Sequence, residues 1–370
     1  MLIPGHATPE GTAAYAQRFQ NLAGDHFRPH QQLWLSSIGL GTYLGENDED
    51  TDHAYTRAVE RALELGSNVL DSAINYRFQR SERAIGAALR NLTSRGALRR
   101  EEVLVCTKAG FLTPDGEPPP NPRKYFEEEY ISRGVLPVEE IAAGMHCMAP
   151  VYLTDQLERC RRNLDLETID VFYMHNPETQ RPEVGAQEFD RRLRAAFELL
   201  EKKVVEGKIR YYGTATWNGY RGAPQSRDHL SLETIAGLAR EVAGEKHHFR
   251  FVQLPFNLQM PEAFTQPTQT FAGRSVSLLE AASELEITVV ASASLMQAGL
   301  AGGLPPEIGQ AFTGLETDAQ RAIQFTRSTP GIAVALVGMS QVAHVEENLR
   351  LAAQPPASQE QYMQLFERAG

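Results

Sequence analysis

The chain has 370 residues, 42% hydrophobic and 22% charged, with a net charge of −11. That is the composition of a globular protein, and the acidic balance argues against a nucleic-acid or anionic-membrane surface. No run approaches the roughly 18 apolar residues of a membrane span, and Met1 to Gln20 lacks a basic-then-apolar leader, so a cytoplasmic protein is expected. Cys106, Cys147 and Cys160 have no metal-ligand spacing, which predicts reduced thiols and no metal site.

Residues 1–32 are polar with scattered aromatics and read as an N-terminal extension, with a short helix at Thr12 to Leu22. Residues 33–370 read as one α/β domain. Leu33 to Thr42 reads as its first strand, and the glycines at 39 and 41 allow a ligand or another backbone to come close. His53 to Leu65 has helical periodicity, with Gly66 as its stop. Val69 to Asp71 is the next strand, and Ser81 to Leu92 the next helix, with Ser81 as N-cap. The strand Val103 to Thr107 follows.

The rhythm then breaks. Residues 110–151 hold many prolines and the acidic run Glu127-Glu128-Glu129. About 40 residues is too long for a βα connection of about 2 to 6. The segment reads as an insertion after strand 3, either a lid over the open end of the fold or a decorative surface loop. Its aromatics and histidine (Phe111, Tyr125, Phe126, Tyr130, His146) either touch substrate or fill the loop's own small core.

Alternation then resumes. Thr154 caps a helix to Leu164, and strands at Ile169 to Met174, Ile209 to Thr214, Phe251 to Leu254, Thr288 to Ala291 and Ile332 to Val337 are each followed by a helical run. A last helix is expected over 358–369. Eight strand–helix units imply a parallel sheet closed into a (β/α)8 barrel.

Four polar residues stand at or just beyond strand ends: Asp71, Tyr76, Lys108 and His175. Singly each has an ordinary reading: a helix cap, a half-buried aromatic, a solvated lysine, a core histidine. Jointly they stand where barrel active sites are built. An ammonium beside a phenol pulls its pKa down from about 10. Such a phenol suits protonation of an oxygen gaining negative charge, as when a carbonyl accepts hydride.

Gly66 to Tyr76, Val105-Cys106-Thr107-Lys108, Ile169 to Pro177, Phe251 to Asn257 and Gly338 to Leu349 together resemble the aldo-keto reductase family. The resemblance implies hydride transfer between NADP(H) and a small-molecule carbonyl or alcohol, with Tyr76 as proton donor and Asp71, Lys108 and His175 as its partners. It assigns cofactor contacts to Gly41, Thr42, Asp71, Thr216, Gln253, Ser294, Met296, Gly338, Ser340, His344, Glu347 and Asn348. Several positions depart from the family pattern: Thr216 and the pair Gly338-Met339 stand where an asparagine and basic residues are usual, and three more bear on the cofactor. Ala215 stands where a serine is usual, Ala293 where an aromatic is usual, and His344 where an arginine is usual. The last leaves NAD(H) open as the cofactor. The first two leave open a slow or inactive cofactor-binding regulatory subunit. A lyase or isomerase using Lys108 as a Schiff base is a third class.

Overall fold

The computed structural model describes residues 1–367. Eight parallel strands close a barrel in chain order. They are β1 (Ile38–Gly41), β2 (Val69–Asp71), β3 (Leu104–Ala109) and β4 (Ile169–His175), then β5 (Ile209–Ala215), β6 (Phe249–Pro255), β7 (Thr288–Ser292) and β8 (Ile332–Gly338). Helices between them cover the outside, burying Leu and Ala faces such as Ile85, Ala88, Leu89 and Leu92. Among the described residues no helix is long and apolar enough to cross a membrane. All three cysteines are buried free thiols.

Successive side chains of a strand alternate between the barrel axis and the helices. Val69, Leu104, Cys106, Val171, Tyr173, Phe251, Val290 and Val334 share one buried interior cluster. Moving two residues on along β2, β3, β4 and β6 gives Asp71, Lys108, His175 and Gln253. The apolar plug of the barrel therefore carries a polar layer at the strands' C-terminal ends. Gly213 keeps this interior narrow, since a Cβ there would lie 1.9 Å from the Phe251 carbonyl oxygen.

The expected first strand is two strands. Leu33–Ser36 pairs antiparallel with Phe27–His30, and only Ile38–Gly41 joins the barrel. Asn68 ties the hairpin down: its Oδ1 accepts from Ser36 N (2.8 Å) and its Nδ2 donates to the Trp34 carbonyl (2.8 Å). Leu33 and Leu35 extend the interior cluster. The N-terminal helix runs Pro9–Ala16 rather than Thr12 to Leu22, because Thr8 caps it and Pro9 fits its first turn. Two further caps fall elsewhere. The helix Arg80–Ser94 starts after Gln79, whose φ is 73°, and Ser81 instead donates to the Thr42 carbonyl (2.7 Å). The helix Pro150–Leu164 starts at its proline, leaving Thr154 inside.

The insertion is ordered. It holds a short helix (Pro122–Phe126), a turn of π-helix (Glu127–Ile131) and its own cluster of Tyr130, Leu136, Cys147, Ala149 and Tyr152. The last helix runs Gln359–Glu367 and packs Tyr362 and Phe366 on Phe325. Ser358 precedes the helix, and residues 368–369 of the expected span lie outside the described residues.

Candidate active site

One cavity of about 790 Å³ opens at the C-terminal ends of the strands. Its floor is the polar layer. Lys108 Nζ donates to Asp71 Oδ2 (2.6 Å) and to the Ser72 carbonyl (2.7 Å), and lies 3.4 Å from the Tyr76 hydroxyl. Gln253 Nε2 donates to the other oxygen of Asp71 (2.8 Å). The Lys108 and Asp71 side chains are 1% and 5% exposed, so each is the other's main counter-charge.

Burial works against the Lys108 ammonium, but Asp71 and Tyr76 outweigh it, and its pKa lies above the ordinary lysine value. An ammonium so held is a poor Schiff-base nucleophile. Burial pushes the Asp71 carboxyl up, against the pull of Lys108 and Gln253. The expected acidification of Tyr76 is corrected here. Burial raises its pKa, Lys108 lowers it, Asp71 raises it again, and the balance lies above the ordinary phenol value. Lys108 offsets a desolvation penalty rather than making an exposed phenol acidic.

His175 ends β4 beside Tyr76, with ring centroids 5.8 Å apart. Burial, then Lys108 and His146, hold its pKa well below 6.5, so the ring is neutral at pH 7. Phe111, from the start of the insertion, sets its ring edge-on to His175 at 5.1 Å and lines the cavity. Tyr125, Phe126 and Tyr130 pack on one another in the insertion's own core. His146 is buried. Its Nε2–H donates to the His175 carbonyl (2.7 Å) and its Nδ1 accepts from Gln180 Nε2 (3.1 Å). Gln180 Oε1 in turn accepts from Arg192 (3.0 Å), which pairs with Glu140 (3.0 Å). The insertion thus clamps the backbone of a site residue, and of its named aromatics Phe111 alone lines the cavity while Tyr125, Phe126 and Tyr130 do not.

The cofactor contacts expected from the sequence all line this cavity except Met296, which lies within 3.9 Å of Asn257 Nδ2 through its sulfur. Three of the lining residues carry buried polar atoms with no partner among the described residues: Thr216 Oγ1, Ser294 Oγ and Asn348 Oδ1. Buried polar atoms are rarely left unpaired, so a polar ligand along this wall would satisfy them. A Cβ at Gly338 would meet nothing within 4 Å, leaving that backbone open to a ligand. These features fit an extended dinucleotide. Gln253 differs from its expected role in that its amide N–H is already given to Asp71.

Several site residues had no sequence signal. Asn75, Tyr43, Asn176 and Trp217 line the cavity. Glu178 holds the Trp217 loop: its Oε1 accepts from Trp217 N (2.6 Å) and Asn218 N (3.3 Å), and burial pushes its pKa up to about 7. Arg77 follows Tyr76 and starts a run of three left-handed residues, Arg77, Phe78 and Gln79. Its guanidinium ties that turn to the Glu46 carbonyl (2.7 Å) and to Asp52 (2.7 Å). Only the repetition of strand ends could have pointed to this rim, and it does not single out these side chains.

Residues 37–224 match the sequence model of the Aldo/keto reductase family. The protein described as "Aldo/keto reductase slr0942" from Synechocystis is 26% identical over 192 residues, spanning 50% of this chain and 46% of that one. A "Putative voltage-gated potassium channel subunit beta" from Schizosaccharomyces pombe is 22% identical over 89% of this chain and 90% of that one. An aldo/keto reductase from Klebsiella pneumoniae, solved with NADP and acetate, shares the fold with a TM-score of 0.61 at 21% identity, over 94% of this chain and 95% of that one. With its (β/α)8 barrel and more than half its length matched by the family's own sequence pattern, the chain belongs to the aldo/keto reductase family.

Proposed function

We propose that this protein moves hydride between NAD(P)H and a small carbonyl compound, or back from the alcohol, with Tyr76 as general acid and, in reverse, general base. The observation that carries the reading is the buried Lys108 ammonium joining Asp71 to the Tyr76 hydroxyl on the cavity floor. The nicotinamide cofactor supplies the hydride when bound, since no side chain can. Thr42, Thr216, Ser294, Ser340 and Asn348 would hold it along the cavity wall, with His344 and Glu347 at the adenine end.

Tyr76 gives its proton to the substrate oxygen as charge develops there. Lys108 then faces a phenolate rather than a phenol, and its charge stabilises that state most. Asp71 and the Ser72 carbonyl keep Lys108 protonated and aimed. His175, neutral beside Tyr76, is placed to hold a substrate oxygen. Tyr43, Phe111 and Trp217 wall the site with aromatic surface that limits water around the reacting carbon. The relative solved with NADP supports NADP(H) as the cofactor.

The test is titration with NADPH and with NADH, followed by a panel of aldehydes and ketones with loss of reduced-cofactor absorbance as readout. Tyr76→Phe is expected to keep cofactor binding and lose roughly 100- to 10,000-fold in turnover. Full activity in that variant would sink the assignment. A second reading, a slow cofactor-binding subunit, is favoured by Ala215 and Ala293, which line the cavity yet offer neither side-chain hydrogen bond nor ring. The fission-yeast relative's name points the same way. Tight cofactor binding with negligible turnover on every carbonyl would support it.

A further inference from the structure

We infer that Glu178 is a positioning residue for the aromatic wall of the cavity: its buried carboxyl latches the turn that carries Trp217, and loss of its proton loosens that latch. Glu178 lies in the turn that leaves β4, and Trp217 in the turn that leaves β5. Glu178 Oε1 accepts from Trp217 N (2.6 Å) and Asn218 N (3.3 Å), so two successive N–H groups of one turn converge on one oxygen. Gly219 lets the turn fold that close, since a Cβ there would stand 3.3 Å from Glu178 Cβ and 3.0 Å from Leu230 Cγ. The Trp217 ring is 40% exposed and lines the cavity.

The dependence on a proton follows from what surrounds the carboxyl. Among the described residues its second oxygen, Oε2, is buried without a hydrogen-bond partner, and no cationic side chain pairs with it. On the same turn, the Tyr220 hydroxyl is bonded to Thr214 Oγ1 (2.6 Å). Burial raises the Tyr220 pKa against the pull of that bond, and the Glu178 charge raises it further, so the phenol stays neutral. Arg221 is engaged on the outer side of the turn, donating to the Trp217 carbonyl (2.8 Å) and pairing with Glu262 (3.2 Å). Arg181 donates to the His229 carbonyl, and the His229 ring bonds to the Thr268 carbonyl (2.8 Å). An ionised Glu178 therefore has neither counter-charge nor water. The backbone N–H bonds favour the ionised form, but burial outweighs them and pushes its pKa up to about 7 from the ordinary 4.5.

A turn that swings away exposes Glu178 to water and returns its pKa toward the ordinary value. The latched state thus binds the proton more tightly than the loosened one. By linkage, the ratio of loosened to latched protein grows as pH rises from 4.5 to about 7, and levels off above. The growth is at most about tenfold per pH unit, since one proton is involved. Loosening moves Trp217 off the cavity and admits water to it. What that does to turnover rests on the hydride-transfer reading above; the latch does not.

The test uses no turnover. The chain holds two tryptophans, Trp34 and Trp217, so Trp34→Phe leaves Trp217 as the only indole. In that background, quenching of its emission by acrylamide is followed from pH 5 to pH 8 without cofactor. The quenching constant is expected to rise between pH 5 and pH 7 and then level off. Glu178→Gln keeps an oxygen for both N–H groups and carries no charge, so it is expected to hold the low value throughout. Glu178→Leu removes the acceptor and is expected to give the high value throughout. A flat profile with Glu178 in place, or the same rise in Glu178→Gln, overturns the proton dependence. Equal protection in Glu178→Leu and Glu178→Gln overturns the latch. Hydrogen exchange of the Trp217 and Asn218 amides in the unmodified chain is a second measurement, independent of whether either variant folds. Their protection factors, corrected for intrinsic exchange, are expected to be high at pH 5 and to fall by pH 8. Amides unprotected at pH 5 overturn the latch, and protection unchanged at pH 8 overturns its dependence on the proton.

Discussion

At the scale of single residues, the decisive fact is that two opposite charges lie under an uncharged phenol with almost no water. Lys108 and Asp71 are bonded at 2.6 Å and nearly inaccessible. Removing one partner of such a pair strands the other, at a cost of roughly 3–5 kcal/mol. Lys108→Met is therefore expected to be strongly destabilised in urea unfolding. Adding Asp71→Asn in the same chain should recover much of that loss while turnover stays abolished, because the phenol still lacks its ammonium. If the double variant is no more stable than Lys108→Met, the buried pair is not what the lysine serves.

At the scale of elements, the barrel's narrow waist and the insertion's clamp make separate predictions. Gly213 on β5 faces the Phe251 carbonyl on β6, where a methyl group has no room. Gly213→Ala is expected to cost at least the upper end of about 1–3 kcal/mol, because backbone rather than a side chain would have to move. Gly41→Ala, whose nearest neighbour would be 3.8 Å away, should leave the melting temperature unchanged. Comparing the two melting curves checks the argument. His146 joins the insertion to β4, and burial lowers its pKa to about 4, below the ordinary histidine value of 6.5. Between those values the unfolded chain binds the extra proton, so stability present above pH 6.5 is lost as pH falls toward 4. His146→Gln should flatten that decline by up to one proton, about 1.4 kcal/mol per pH unit. Urea midpoints at pH 7 and pH 5 measure it, and parallel profiles would contradict the buried neutral ring.

At the scale of the whole molecule, the site is a property of closure. Side chains distant in sequence, from Gly41 to Asn348, meet around one cavity only because β8 pairs with β1. A dinucleotide lying along that wall would touch both ends of the chain and stabilise the barrel as a unit. At a concentration 100 times its dissociation constant it should add about 2.7 kcal/mol. A rise of several degrees in melting temperature is expected with NADPH, and the size of the NADH response measures what His344 contributes. Unchanged melting with both nucleotides would contradict the cofactor assignment.

The sequence by itself determined the strand rhythm and the residues that end the strands. Hydrophobic patterning is a local property: Asp71 and His175 each end an apolar run, and Lys108 follows Thr107 at the end of another. It also marked the place of the insertion, since a proline-rich, aperiodic stretch interrupts that rhythm, although the next helix begins at Pro150, inside the expected bounds of 110–151. Only the tertiary structure decided the rest. Leu33 to Thr42 reads as one strand, but its first half pairs with Phe27–His30 as a hairpin and only Ile38–Gly41 joins the barrel. Ser81 looks like a cap until packing offers it the Thr42 carbonyl. The direction of the Tyr76 shift, the His146 clamp and the Glu178 contacts with the Trp217 turn depend on burial and on groups far away in sequence. Desolvation acts through the whole surrounding volume, which exists only once the chain has folded.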